Sequence, residues 1–277
     1  MRSPRKILIE RGLAARKEMG QHFLLDRNIV EKILDKANLD ENTLILEIGP
    51  GLGALTEPLL ERGFAVTAVE LDSGLARYLE ETLQPTAPKR FHIIKGDILG
   101  VDLEEMAASA GKPLTLIGNL PYQISSPLLF KILSVRVRIA QAVFMFQREL
   151  ADRLVSGPGS KEYGRLSVPF AYYAHVVRLL DAGPAVFYPR PKIGSTVLQI
   201  RFKDTPEPWL ASESSFHQVV QAGFSQRRKI IRNALLSEYS VEKVDTALAS
   251  ATIEPGRRAE TLSPAEFVAL ANALHRA

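Results

Sequence analysis

From residue 43 to about 202 the chain alternates short apolar, β-branched runs with longer stretches whose apolar positions recur every three or four residues. Buried parallel strands read as near-continuous apolar runs, and the helices that cover them carry one apolar stripe each, so this rhythm predicts a parallel sheet sandwiched by helices. Seven runs read as strands: 44–48, 65–70, 91–95, 114–117, 140–146, 176–180 and 196–202. The expected fold class is α/β, with a seven-stranded, doubly wound sheet. Ser125-Ser126-Pro127 offers a capping serine and a proline suited to the first helical position, which predicts a helix starting there.

Lys203-Asp-Thr-Pro-Glu-Pro208 is polar and proline-rich and reads as a linker. Beyond it the pattern is helical throughout, with segments at 214–223, 228–236 and 241–251 and a last helix opened by Ser263-Pro264. The expected organisation is a large domain over 1–203, including a basic N-terminal segment 1–24, and a small all-α domain over 209–277. No long heptad pattern appears, and a monomer is expected.

Composition narrows the chemistry. The 277 residues contain no cysteine, which excludes disulfides, thiolate zinc sites and a cysteine nucleophile. The five histidines show no metal-ligand spacing, so no metal is expected. No apolar run approaches the ~20 residues that span a bilayer, and the N-terminus lacks a secretory apolar region, so a cytoplasmic protein without membrane contact is expected. The net charge of +4 is unevenly spread. Residues 1–20 hold six Lys/Arg against two Glu, residues 131–203 hold twelve against four Asp/Glu, and Arg227, Arg228, Lys229 and Arg232 cluster near the end. Such clusters fit a polyanion partner or simply solvated faces.

Leu46-Glu-Ile-Gly-Pro-Gly-Leu-Gly-Ala-Leu55 places Gly49, Gly51 and Gly53 between a strand and a helix, where a backbone without Cβ lets a cofactor lie against the turn. Glu70 closes the next strand, where a carboxylate can accept from ribose hydroxyls in either NAD or S-adenosylmethionine. Asp97 follows the third strand, positioned to accept from an adenine amino group, with Ile98 packing on the ring. The Gly-x-Gly-x-Gly spacing, with Glu47 before it and Asp97 later, favours S-adenosylmethionine over a nicotinamide dinucleotide.

Asn119-Leu120-Pro121-Tyr122 stands where a buried strand ends. An exocyclic adenine amine is a poor nucleophile because its lone pair is delocalised into the ring. Acceptors at the Asn119 side chain and the Leu120 carbonyl, presented by a turn that Pro121 stiffens, would orient that nitrogen toward a methyl group. Tyr122 offers an aromatic face for a base.

These motifs occur in order with Arg16-Lys-Glu-Met-Gly-Gln-His-Phe-Leu24, Val69-Glu-Leu-Asp72, Gln147-Arg-Glu149, Gly157-Pro-Gly-Ser-Lys-Glu-Tyr-Gly-Arg-Leu-Ser167, Phe187-Tyr-Pro-Arg-Pro-Lys192 and Phe224-Ser-Gln-Arg-Arg-Lys229. Over nearly its whole length the chain resembles the ribosomal RNA adenine N6,N6-dimethyltransferases, and most closely the bacterial small-subunit type. The resemblance implies a Rossmann-like class I methyltransferase that uses S-adenosylmethionine to dimethylate two adjacent adenosines near the 3′ end of 16S rRNA within the immature small subunit. It also implies that Gln21, His22 and Leu24 close over the cofactor, that Gly49 contacts its amino-acid portion, Glu70 its ribose and Asp97 its adenine, and that Asn119 lies where donor and target meet. Phe187 would face Tyr122 across the extruded base, while Arg190, Lys192, Arg227, Arg228, Lys229 and Arg232 would grip RNA. His22 departs from the family's usual Asn, and Ile193-Gly194-Ser195 from its usual Val-Asp-Ser. Three other readings compete: a 23S rRNA adenine N6-methyltransferase, a non-catalytic ribosome-assembly factor of the same fold, and a nicotinamide oxidoreductase.

Overall fold

The computed structural model describes residues 3–226 and 228–276, so Arg227 lies outside the described residues. The strands are β1 (Phe23–Leu24), β2 (Leu44–Ile48), β3 (Val66–Glu70), β4 (Phe91–Lys95), β5 (Leu114–Asn119), β6 (Ile139–Gln147), β7 (Ala174–Ala182), β8 (Phe187–Tyr188) and β9 (Ser195–Phe202). Seven of them form one sheet in the order β4-β3-β2-β5-β6-β9-β7. The pairs from β4 to β6 are parallel, and β9 runs antiparallel to β6. All seven expected strands are present. β1 and β8, which the pattern did not predict, make a separate antiparallel ribbon.

The order reverses between β2 and β5, and ligands of open α/β sheets bind at the carboxyl ends of strands at such a switch point. The expected end of β5 at Ile117 is two residues short. Gly118 and Asn119 continue the ladder opposite Phe144 and Met145, so pairing with β6 overrides the weak strand preference of Gly and Asn.

The helices are α1 (Pro4–Glu10), α2 (Arg27–Ala37), α3 (Thr56–Glu61), α4 (Ser73–Thr82), α5 (Leu103–Ala110), α6 (Tyr122–Ser134), α7 (Arg148–Val155), α8 (Ser167–Tyr173), α9 (Glu213–Gly223), α10 (Ile231–Leu235), α11 (Val241–Ser250) and α12 (Pro264–Arg276). α6 begins at Tyr122, ahead of the expected start, and Pro127 lies inside it. Pro121 is the residue before the first turn, with φ −57° already near helical values, and the Ser125 hydroxyl donates to the Pro121 carbonyl at 3.2 Å instead of acting as an N-cap. None of the helices among the described residues is long and apolar enough to cross a membrane.

The chain forms two compact units, one of Met1–Ala151 with Val177–Phe202, the other of Asp152–Val176 with Lys203–Ala277. This division departs from the boundary drawn on sequence, which kept Asp152–Val176 with the sheet. The physical reason is packing at long range: Tyr172 and Tyr173 of α8 lie tilted and edge-on to Phe216 of α9, with ring centroids 5.3 and 6.0 Å away, and α12 packs against α8, α9 and α11. In the sheet unit the core is built from inward positions of adjacent strands, among them Ile45, Val66, Ile117, Val143 and Val197, each worth roughly 1.5–3 kcal/mol when fully buried.

Candidate active site

A cavity opens at the carboxyl ends of β2, β3 and β5 and is lined by Gln21, His22, Leu24, Gly49, Gly51, Glu70, Asp97, Ile98 and Asn119, together with Leu120, Pro121 and Tyr122. The positions singled out for the cofactor thus border one space. Phe187 does not line it.

The glycine loop is shaped by what crowds it. Gly51 adopts φ +60°, which favours glycine, and a Cβ there would stand a tight 3.1 Å from the Phe23 ring. Glu70, 6% exposed, braces this loop: its carboxylate accepts from the Gly51 N–H at 3.0 Å and the Asp72 N–H at 2.9 Å. Burial pushes its pKa above the ordinary glutamate value, and the two N–H donors oppose that. Asp97 accepts from the Leu99 N–H at 2.9 Å and so shapes the turn that carries Ile98.

The N-terminal segment is tied down by Asp72 and Arg16, which stand in quoted motifs but were given no role on sequence. Asp72 caps α4 through the Gly74 and Leu75 N–H groups with one oxygen, and its other oxygen holds Gln21 Nε2 and Arg16 Nε, each at 3.2 Å. The local signal for its capping role is an aspartate placed as an N-cap before Ser73-Gly74. Asn119 is fixed from the same side, because its amide nitrogen donates to the His22 carbonyl at 2.7 Å. That contact commits the nitrogen and leaves Oδ1 as the acceptor end of the amide. Gly118 was also missed: a Cβ there would lie 2.5 Å from the Ile48 carbonyl oxygen, so only glycine lets β5 deliver Asn119 this close to β2.

Tyr122 is half-buried, its hydroxyl 3.4 Å from Ser195 Oγ, and its ring lies beside His22 with centroids 5.9 Å apart. His22 Nδ1 meets the Pro189 carbonyl at 2.6 Å, where a protonated ring nitrogen donates. The expected partner Phe187 is instead 3% exposed, paired with Leu24 across the β1–β8 ribbon and packed in the core with Leu24 and Val197. Alternation along a strand turns one of two successive residues inward, and burying the phenyl ring outweighs displaying it. Arg190 and Lys192, on the same loop, are exposed. A Cβ at Gly194 would come within 3.6 Å of the Arg148 guanidinium.

In the helical unit Arg228 and Lys229 are exposed but precede α10 rather than standing on it, so the expected helical spacing of this cluster does not hold. Arg232 is on α10 and forms a two-pronged pair with Asp245 of α11 at 2.5 and 2.8 Å. Its charge is already met by a partner within the fold, unlike the sequence expectation that it is held out for RNA.

The lining suits a cationic donor. Glu18, Glu47, Glu70 and Asp97 border the cavity, and among the described lining residues there is no lysine or arginine. When bound, S-adenosylmethionine supplies an electrophilic methyl group on a positively charged sulfur. Glu70, Asp97, Ile98 and the glycine loop border the cavity and would be the residues to hold it.

Comparison with known proteins agrees. The chain matches the family described as ribosomal RNA adenine dimethylase over residues 12–276. It is 40% identical to a ribosomal RNA small subunit methyltransferase A of Geobacillus sp. (strain WCH70), covering 98% of this chain and 95% of that protein. It is 41% identical to the protein of that name from Francisella tularensis subsp. novicida, covering 94% and 97%. Among solved structures it superposes on the 23S rRNA methyltransferase ErmE with TM-score 0.69 and 26% identity over 91% of this chain and 99% of that one. A dimethyladenosine transferase from Plasmodium falciparum, 23% identical, shares the fold with TM-score 0.75 over 90% and 95%. The chain therefore belongs to the ribosomal RNA adenine dimethylase family, as an S-adenosylmethionine-dependent methyltransferase of Rossmann-like class I fold.

Proposed function

We propose that this enzyme dimethylates N6 of two adjacent adenosines near the 3′ end of 16S rRNA, acting in the cytoplasm as a monomer on the immature small subunit. The observation that carries the chemistry is Asn119, anchored through its nitrogen to the His22 carbonyl and therefore presenting oxygen. In this reading Asn119 Oδ1 and the Leu120 carbonyl accept from the adenine N6–H groups, so that the nitrogen lone pair turns toward the methyl donor. Pro121 holds the turn without adding a competing N–H. Tyr122 supplies the stacking face, and its ring electrons favour the positive charge that builds on nitrogen. The methylated nitrogen is acidic and loses its proton to water, so alignment and electrostatics suffice without a strong base.

Extracting a base from structured RNA costs a few kcal/mol, roughly what stacking on Tyr122 returns. Arg190, Lys192, Arg228 and Lys229 supply phosphate contacts in this reading. Small-subunit rRNA is preferred because relatives at 40% and 41% identity bear that name, against 26% for ErmE, named for 23S rRNA. The test is transfer of labelled methyl groups to under-methylated small subunits, followed by mapping. Two adjacent dimethyladenosines in 16S rRNA are expected; label confined to 23S rRNA would overturn the assignment.

A further inference from the structure

Among the described residues, two of the four carboxylates that border the cavity have a visible duty. Glu70 braces the glycine loop and Asp97 shapes its own turn. Glu47 is different. It is 1% exposed, and its carboxyl oxygen accepts from the Thr56 hydroxyl at 2.7 Å across the loop. Register places it at the centre of the site: Glu47 pairs with Ala68 on β3 and Ile117 on β5, so Glu70 and Asn119, each two residues further on, share its face of the sheet. Burial and the neighbouring Glu70 push the Glu47 acid up to about 8, so that it holds its proton at neutral pH.

The other charged groups around it do not neutralise it. Glu18 and His22 border the cavity on the N-terminal segment and Asp97 follows β4, while Asp72, behind Glu70, is already met by Arg16. The sulfonium donor carries one positive charge more than the demethylated product. Among the described lining residues there is no lysine or arginine, and Glu47 is the carboxyl that burial leaves with a proton to give, so it can add one negative charge beside those already there when the donor binds. Glu70 receives two backbone N–H bonds that favour its anion; Glu47 receives a hydroxyl and has the proton.

We infer that Glu47 is the residue that separates methyl donor from spent product, keeping its proton in the empty or product-filled cavity and releasing it to solvent when the cationic donor is bound. The inference rests on the cofactor assignment above. No bond to the cofactor forms or breaks in this step; one proton leaves the Glu47 carboxyl on donor binding and returns when neutral product replaces the donor.

Calorimetric titration of the full chain with S-adenosylmethionine and with S-adenosylhomocysteine, in buffers of different ionisation enthalpy, reads this directly. Donor binding should release close to one proton near pH 7, and the donor Kd should fall by up to about tenfold per pH unit below about pH 8 and level off above it. The product Kd should change little over the same range. Glu47→Gln should abolish the released proton and flatten the donor-to-product ratio. Equal proton release for both ligands in the wild type overturns the inference, whether or not the variant folds. Undiminished release in Glu47→Gln also overturns it and assigns the linkage to another group. Failure of both ligands to bind the wild type would sink the cofactor assignment and the inference with it.

Discussion

The floor of the cavity and the basic turn of the helical unit handle charge in opposite ways. In the cavity, Glu47 and Glu70 are buried at 1% and 6% exposure, so each charge acts through little water and its effect depends on protonation and on single hydrogen bonds. At the basic turn, Arg228 and Lys229 are exposed, and water and salt weaken each charge to a small, additive contribution. Burial makes a charged residue selective and irreplaceable; exposure makes it one contributor among several. The first arrangement suits a small cation that must be told from its neutral product, the second a long polyanion.

The contrast can be broken by substitution. Asn119→Ala should have the largest effect, lowering methyl transfer roughly 10²- to 10³-fold, as removal of one aligned polar group does elsewhere, while S-adenosylhomocysteine still binds calorimetrically. A matching loss of cofactor binding would mean that Asn119 serves the cavity's shape alone.

Next comes the pH dependence of stability in the cofactor-free protein. The Glu47 acid ionises near 4.5 when unfolded and at about 8 when folded, so between those values the native state holds the extra proton. Its contribution to stability is complete below about pH 4.5 and is lost as pH rises toward 8, a change on the order of a few kcal/mol. Urea unfolding across this range should show that decline, and Glu47→Gln should flatten it.

Gly118→Ala should cost about 1–3 kcal/mol in the same assay, because its Cβ would be driven against the Ile48 carbonyl oxygen at 2.5 Å. Activity should fall further than stability accounts for, since Asn119 moves with its neighbour. The smallest effect is expected at the exposed turn. Arg228→Ala and Lys229→Ala should each weaken RNA binding only a few-fold and reduce the slope of log K against log salt by about 1. A hundredfold loss from either would remove the distinction between the two regions.

Much of this was legible in the chain alone. The seven strands and the loop glycines follow from local rules, because strand burial imposes its own pattern and a backbone with positive φ admits little besides glycine. The motifs at Glu70, Asp97 and Asn119-Leu-Pro-Tyr122 pointed to residues that do border one cavity. The ribbon of β1 and β8 escaped notice because two-residue strands carry no periodicity, and Pro127 misled because proline marks a helix start only when nothing upstream has already begun one.

What the sequence by itself determined was therefore the order of the seven sheet strands along the chain and most of the residues at the switch point, set by neighbours within a few positions. Tertiary structure alone decided that Tyr122 is half-open while Phe187 is packed away, that Arg232 is answered by Asp245, and that Asp152–Val176 belongs with the C-terminal helices. It also decided that Glu47 is buried beside Glu70, which pushes its acid up to about 8. Each of these depends on groups brought from distant parts of the chain, which exclude water or supply a partner, and no local pattern encodes either.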